Sequence, residues 1–353
     1  MNKTIDVVTL GELLIDFTES GVSSAGNPLL EVNPGGAPCN VLAMLTKLGK
    51  KTEFIGKVGR DQFGTLLKET LDEIGIGRRN LLTDEKVNTT LAFVHTDSDG
   101  DREFSFYRNP GADMMLSSDE IKEDLIANSK IFHFGTLSMT DEIVRNATKR
   151  ALDIAKESGC LISFDPNLRE PLWSSLDLAK EMMEYGFNYC NILKISDNEI
   201  QFVTGKEDFD EGIAVLQEKY KIPLILLTMG KDGSRAYYNY EYGNLLKENH
   251  NKISSLMESI EKNKDIQIMS NGTIRVEQSG FKVKTIETTG AGDTFMGCSL
   301  GYILDHDFYN LTAENLKELL TFANAGAAIV TTKKGAIKSM PSKEEIFDLI
   351  GKQ

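Results

Sequence analysis

Glu287-Thr288-Thr289-Gly290-Ala291-Gly292-Asp293-Thr294-Phe295-Met296-Gly297 is the most informative stretch of this chain. A strand-like run, Phe281–Ile286, precedes it, and an apolar helical pattern follows over Asp293–Leu304. Small residues let main-chain N–H groups approach an anion, and the helix N-terminus adds partial positive charge. A transferring phosphate is such an anion. Asp293 stands at the helix start, where a carboxylate is favoured and where it could take a proton from a hydroxyl. An aspartate cap behind a glycine turn would carry the same letters. A dinucleotide fingerprint would need glycine where Phe295 stands, and would fall in the first strand–helix turn instead of near the C-terminus. The phosphate loop G-x-x-x-x-G-K-[ST] occurs nowhere, nor do the H-R-D and D-F-G elements of protein kinases.

Upstream, the same rhythm of apolar run, polar turn and amphipathic helix repeats. The runs are Ile5–Leu10, Glu53–Val58, Ile131–Phe134, Leu161–Phe164, Ile192–Ile195 and Leu224–Thr228; Tyr237–Tyr240 also reads as a strand. Helical patterns cover Asn40–Leu48, Phe63–Ile74, Glu142–Glu157, Asp210–Tyr220 and Ala313–Thr331. Strands alternating with helices predict a parallel sheet covered on both faces. Two stretches break the rhythm. Thr89–Thr96 and Arg102–Tyr107 alternate around Asp97-Ser98-Asp99-Gly100, as a hairpin does. Leu13–Thr18 and Leu29–Val32 flank the loose Glu19–Asn27. Together they form a small β layer, which the pattern alone leaves open as a lid or an edge hairpin. Residues 242–271 are the least core-like and read as a surface insertion, with Ile253, Leu256, Met257 and Ile260 at helical spacing.

The 353 residues suffice for two domains or one large α/β domain with an appendage. The formal charge of -14 argues against nucleic acid and anionic membranes as partners. Cys39, Cys160, Cys190 and Cys298 form no C-x-x-C and read as reduced thiols. The first apolar run ends at Gly11-Glu12, too soon for a signal peptide, and no run reaches the ~18 residues of a membrane helix. A cytoplasmic protein is expected. The four scattered histidines have no zinc spacing.

In an open α/β sheet, ligands sit beyond the carboxyl ends of the strands. There the sequence places Gly11-Glu12 and Asp16, Asp165-Pro166-Asn167-Leu168-Arg169, Ser196-Asp197-Asn198-Glu199 and Thr228-Met229-Gly230-Lys231-Asp232-Gly233. Helix caps and turns use the same residue types. Gly35-Gly36-Ala37-Pro38-Cys39-Asn40 opens another apolar helix. Its glycine pair permits close backbone approach, and Asn40 offers the donor and acceptor that suit sugar hydroxyls.

Taken together, the Gly35–Asn40 segment, with Gly49, Gly56 and Gly59 behind it, and Thr288–Asp293 resemble the two signatures of the PfkB (ribokinase-like) carbohydrate kinase family. The resemblance covers the chain outside residues 242–271. Phe104-Ser105-Phe106-Tyr107-Arg108-Asn109-Pro110-Gly111-Ala112-Asp113 and Asp165–Trp173 look most like the family's bacterial fructokinases. The resemblance implies one ribokinase-like α/β domain, with a mostly parallel sheet flanked by helices. A small β lid would come from about residues 12–34 and 88–113. It implies ATP as donor, Mg²⁺ on the phosphates and a sugar as acceptor, with a homodimer formed through the lid.

Carried over by position, the resemblance makes Asp293 the base, Gly290, Ala291 and Gly292 the anion hole, and Arg169 a contact to sugar or phosphate. Asp16, Gly35, Gly36 and Asn40 would hold the sugar, with Arg108 reaching it from the lid. Lys194, Thr228, Gly230, Gly233 and Asn324 would serve the nucleotide. Glu199 would serve Mg²⁺ through water, in a motif whose usual Asn is here Ser196. Glu287, Gly335 and Ser339 match a K⁺ site, with Glu287 where many relatives have Asp. The activity so implied is ATP-dependent phosphorylation of the terminal hydroxyl of D-fructose. The rivals are a 2-keto-3-deoxygluconate, ribose or nucleoside kinase, and a sugar-binding regulator without catalysis.

Overall fold

The structure, a computed structural model, describes residues 3–96, 102–244 and 265–352. Its strands are β1 (Ile5–Leu10), β2 (Leu14–Val22), β3 (Pro28–Gly35), β4 (Thr52–Gly59), β5 (Gly77–Asp84), β6 (Leu91–Thr96), β7 (Arg102–Tyr107), β8 (Ser129–Gly135), β9 (Leu161–Asp165), β10 (Ile192–Ser196), β11 (Leu224–Thr228), β12 (Gly233–Tyr238), β13 (Ile266–Ile268) and β14 (Ile274–Ser279). Ten of them form one sheet in the order β13-β14-β12-β11-β10-β9-β8-β1-β4-β5. From β11 to β5 every pairing is parallel; β12, β14 and β13 add an antiparallel edge.

The apolar strands divide their side chains between two cores, as period-two geometry requires. Ile131, Ile192, Leu224 and Leu226 face the core shared with helices Ala37–Lys47, Ala291–Asp305 and Ala313–Val330. Phe132, Phe134, Leu193, Ile195, Ile225 and Leu227 face the core under helices Glu142–Glu157, Leu176–Phe187 and Phe209–Tyr220. Phe134 stacks on Phe164 at 4.5 Å between centroids, and a fully buried side chain of this size contributes about 1.5–3 kcal/mol. This is the mostly parallel, helix-flanked sheet expected from the alternation.

The remaining strands form a separate small sheet, β3-β2-β6-β7, in which β2 pairs antiparallel with β3 and parallel with β6. The sheet stands over the carboxyl ends of the main strands and is the lid. Phe17 bridges the lid to the body, stacking on Phe93 at 4.8 Å and meeting Phe63 edge-on at 5.7 Å. The turn expected at Asp97–Gly100 lies outside the described residues.

Two expectations need correction. Phe281–Ile286 is not a strand. It crosses from the sheet edge to the last helices, where the Ile286 and Glu287 amides both donate to the Thr331 carbonyl. Nor do both ends of residues 242–271 behave as an insertion. Tyr240–Asn244 is helical, and Ile266–Ile268 is an edge strand whose Ile266 is buried beside Val276. The run is too short to show an alternation in sequence. Residues 245–264, with the helical spacing noted there, lie outside the described residues.

Candidate active site

Chain order places the site before any side chain is considered. From β1 the chain builds outward through β4 and β5, then returns to β8 and proceeds the other way. The crevice at such a reversal is where doubly wound sheets bind ligands. A cavity of about 410 Å³ opens there. Its wall carries Glu12, Leu14 and Asp16 from the β1–β2 passage, Gly36, Ala37 and Asn40 from the first helix, and Phe106 from the lid. Facing them are Leu137, Asn167, Arg169, Lys194 and the loop Thr288–Asp293.

The loop Thr288–Gly290 turns into the helix Ala291–Asp305 with Gly290 at φ 77°, a left-handed conformation that glycine adopts without a Cβ clash. Gly292 is small for a different reason: a Cβ there would lie 3.0 Å from the Lys194 ammonium. The first-turn amides therefore open towards the cavity with a cation beside them. Asp293, buried in the same turn, accepts a hydrogen bond from Asn40 Nδ2 at 2.7 Å. Burial raises its carboxyl above the ordinary carboxylate range, and the Asn40 bond, Lys194 and Arg169 pull the other way. Asn40 Oδ1 is buried with no hydrogen-bond partner among the described residues. An unpaired buried acceptor costs about 1–3 kcal/mol, which a ligand hydroxyl placed there would offset.

Lys194 pairs with Asp165 at 3.0 Å, both side chains nearly inaccessible. Burial alone would lower the ammonium, but Asp165, Glu199 and Asp293 outweigh it and hold it charged. Burial pushes Asp165 up to about 6 against the pull of Lys194. His133, behind this pair, bonds Ser163 at 2.9 Å, and burial with Lys194 nearby takes its pKa down to about 3, so it stays neutral. Asn167, one residue beyond the Asp165-Pro166 turn, sits at φ 45°, a conformation asparagine tolerates better than most residues.

Of the expected sugar residues, the structure brings Asp16, Gly35, Gly36 and Asn40 together. A Cβ on Gly35 would collide with Asp16 Oδ2 at 2.3 Å. Arg108 is the exception and is corrected here. Its guanidinium is buried, pairs with Asp113 at 2.7 Å, and donates to Thr140 Oγ1 at 2.8 Å and the Leu137 carbonyl at 2.9 Å. It braces the cavity wall from behind and does not line it.

Lys194 joins the cavity, whereas Thr228, Gly230, Gly233 and Asn324 fall outside it, along the adjoining strand ends. Gly230, at φ 54°, has open space where a Cβ would stand; Gly233, at φ 110°, packs against the Gln278 carbonyl and serves the turn. Asn324 is engaged within the protein. Its Oδ1 accepts from Ser234 at 2.9 Å and its Nδ2 donates to the Gln278 carbonyl at 3.1 Å. The amide is spent on bracing the turn.

Glu199 accepts from the Leu168 amide, the Ser196 amide and the Ser196 hydroxyl, each at 2.8 Å. A carboxylate has about four acceptor positions, so one remains. No group of three or more His, Cys, Asp or Glu among the described residues is placed to hold a metal. The remaining position on the single Glu199 carboxylate suits a water on a Mg²⁺ carried by nucleotide phosphates. Glu287 accepts from Thr289 Oγ1 at 2.6 Å and from the Gly335 amide at 3.2 Å, and Ser339 Oγ donates to the Gly335 carbonyl at 2.6 Å. These three expected residues are thus one oxygen-rich cluster beside the anion loop.

Sequence reading did not assign Glu12, Leu14, Phe106, Leu137, Asn167, Thr288 or Thr289 to the site. Glu12 had a signal, since it directly follows an apolar strand at the binding edge. Phe106 had one in the stretch Phe104–Asp113 that resembles fructokinases, and Leu137 had none, because its cavity exposure depends on how the lid and β8 meet.

A parallel sheet with its ligand crevice at a topological reversal, an anion loop and an adjacent buried carboxylate define a small-molecule phosphotransferase. The family model for pfkB family carbohydrate kinases matches residues 4–343, and the chain belongs to that family. Fructokinase-2 of Solanum lycopersicum is 40% identical over 346 residues, covering 98% of this chain and 95% of that one. Fructokinase-1 of Zea mays is 38% identical over 348 residues, covering 98% of each. Among solved structures, the ATP-bound fructokinase of Xylella fastidiosa superposes with a TM-score of 0.80 at 25% identity, covering 100% of this chain and 99% of that one. A Vibrio cholerae fructokinase double mutant with fructose, ADP and potassium bound gives 0.80 at 26% identity, covering 99% of each.

Proposed function

We propose that this protein is an ATP-dependent fructokinase that phosphorylates the terminal hydroxymethyl of D-fructose. The observation that carries the reading is the Asn40–Asp293 contact, which leaves one buried acceptor and one buried carboxylate together at the mouth of an anion loop. Asn40 Oδ1 accepts from a sugar hydroxyl, and Asp293 takes the proton of the hydroxyl that attacks. Asp16, beside Gly35 and Gly36, holds a second hydroxyl. The Gly290–Asp293 amides and Lys194 meet the charge on the transferring phosphoryl, with Arg169 on the cavity wall. Alignment and charge neutralisation are most of what this reaction asks of a protein. Mg²⁺ bound with the nucleotide supplies further charge neutralisation. Thr228 and Gly230 carry the nucleotide along the adjoining edge, and the Glu287, Gly335 and Ser339 oxygens suit K⁺. The lid, with Phe106 on its inner side, covers the sugar and excludes water.

The withdrawn Arg108 bears on the acceptor. Beside Gly35 the cavity presents the carboxyl of Asp16, whereas Lys194 stands at Gly292 and Arg169 acts on Asp293. A sugar acid would set its carboxylate against Asp16, and a neutral ketose would not. In a coupled ADP-release assay, kcat/KM should be highest for fructose when ribose, adenosine and 2-keto-3-deoxygluconate are measured alongside. A higher value for any of the other three removes the fructokinase reading.

Two further assignments belong to this reading. The lid strands β2 and β3 expose Val22, Leu30 and Val32, and a second copy of the chain covers that face in a homodimer. No helix among the described residues is long and apolar enough to cross a membrane, and the four cysteines are free and buried. A reducing, ATP-containing compartment, the cytoplasm, fits both the thiols and the donor.

A further inference from the structure

Glu12 is a buried carboxyl for which the transfer chemistry supplies no direct task. It directly follows Gly11 at the end of β1 and is 4% exposed. Its Oε1 accepts from the Ala37 amide at 2.8 Å. That amide is one of the orphan donors at the start of the helix Ala37–Lys47. A cap side chain ordinarily serves the amides two or three positions into the helix and leaves this first one to water. Here the cap residue is Gly36, which has none. Gly36 cannot readily be anything larger, since it sits at φ 120° and a Cβ would meet the Glu12 carbonyl oxygen at 2.4 Å. The acceptor for the Ala37 amide comes from the connection between β1 and β2. One turn further on, the same helix presents Asn40, whose own amide donates to the Gly36 carbonyl at 2.9 Å and whose Nδ2 donates to Asp293.

We propose that Glu12 is a positioning residue for phosphoryl transfer: it fixes the start of the Ala37 helix and, through Asn40, the orientation of Asp293. The inference rests on Asp293 acting as the base of a sugar kinase. The charged and titratable groups around Glu12 are Arg108 and Asp113 beneath the lid, Cys39 on the helix it caps, and His133, Asp165 and Asp293 across a water-sized void behind the cavity. Burial pushes the Glu12 carboxyl up to about 7, with its amide donors and Arg108 opposing and Asp113 assisting. Both protonation forms keep an oxygen that can accept from Ala37. An amide in its place should therefore preserve the cap, and a methyl group should abolish it.

The test is a double-mutant cycle on the full-length protein, read as kcat and as KM for each substrate. Glu12→Ala should lower kcat about 10- to 100-fold, the size of effect that a small misplacement of a reacting group produces. KM for ATP should stay within about twofold, and Glu12→Gln should recover kcat to within about threefold of wild type. In an Asn40→Ala background, adding Glu12→Ala should cost less than about threefold, because the route to Asp293 is already cut. Losses that multiply overturn the inference. So does a rise in the sugar KM at unchanged kcat, which would make Glu12 a sugar contact. Hydrogen exchange at the Ala37 amide needs no substrate: it should quicken in Glu12→Ala and not in Glu12→Gln, and unchanged exchange overturns the inference by itself. Absence of fructose turnover by the wild type would instead count against the kinase reading and leave the exchange result decisive for Glu12.

Discussion

Asp293→Asn should reduce kcat by about 10²–10⁴-fold, the usual contribution of a positioned general base. ATP affinity should stay close to wild type, because the substitution removes no main-chain donor from the Gly290–Gly292 turn. The Asn40 contact adds a pH test. Its hydrogen bond favours the charged carboxylate and so lowers a pKa that burial raises. Asn40→Ala removes that opposition, and Asp293 then keeps its proton to higher pH. The acid limb of the kcat/KM profile should move upward in Asn40→Ala relative to wild type. A folded Asp293→Asn enzyme retaining half its turnover, or an acid limb moving downward in Asn40→Ala, removes Asp293 from the role of base.

Arg108→Ala should act on the fold more than on the acceptor. The Arg108 and Asp113 side chains are 2% and 3% exposed. Removing one member of a buried ion pair strands the other charge and costs about 3–5 kcal/mol. The midpoint of urea unfolding should fall accordingly, and Arg108→Ala/Asp113→Ala should recover part of the loss, since no lone charge then remains. An unchanged midpoint with a raised fructose KM would return Arg108 to the sugar site.

The contrast between Arg108 and Asp293 marks what the sequence can and cannot disclose here. Asp293 is legible because its neighbours are local: a glycine turn, a helix start and a carboxylate lie in consecutive positions. The six main apolar runs are legible for the same reason, each being bounded by its own turn, and four of them lead on to an α-helix before the next strand. The direction of the Arg108 side chain depends on Asp113, Thr140 and the Leu137 carbonyl, two of them on the far side of β8 in sequence. Nothing near Arg108 distinguishes a guanidinium facing a ligand from one facing a buried carboxylate. The bonds of Asn324 are equally hidden, because its partners Ser234 and Gln278 come from the antiparallel edge. That edge was itself hard to read: β13 has three residues and β14 follows it after a tight turn, so neither shows a long apolar run. Glu12 lies in plain view, but its bond to the Ala37 amide is visible only once the helix start is placed.

The lid's parallel pairing has a consequence for how the chain is made. Ile15 of β2 lies opposite Leu91 of β6, and the segment carrying β3, β4, β5 and two helices separates them. On a ribosome, β2 and β3 can form their antiparallel pair long before β6 has emerged, since chains fold from the N-terminal side as they are synthesised. During that interval one edge of β2 is unpaired and Phe17 lacks the Phe93 ring that stacks on it. An open strand edge of this kind can recruit a neighbouring chain. The speed at which the intervening residues are translated therefore sets how long each nascent molecule remains open to mispairing.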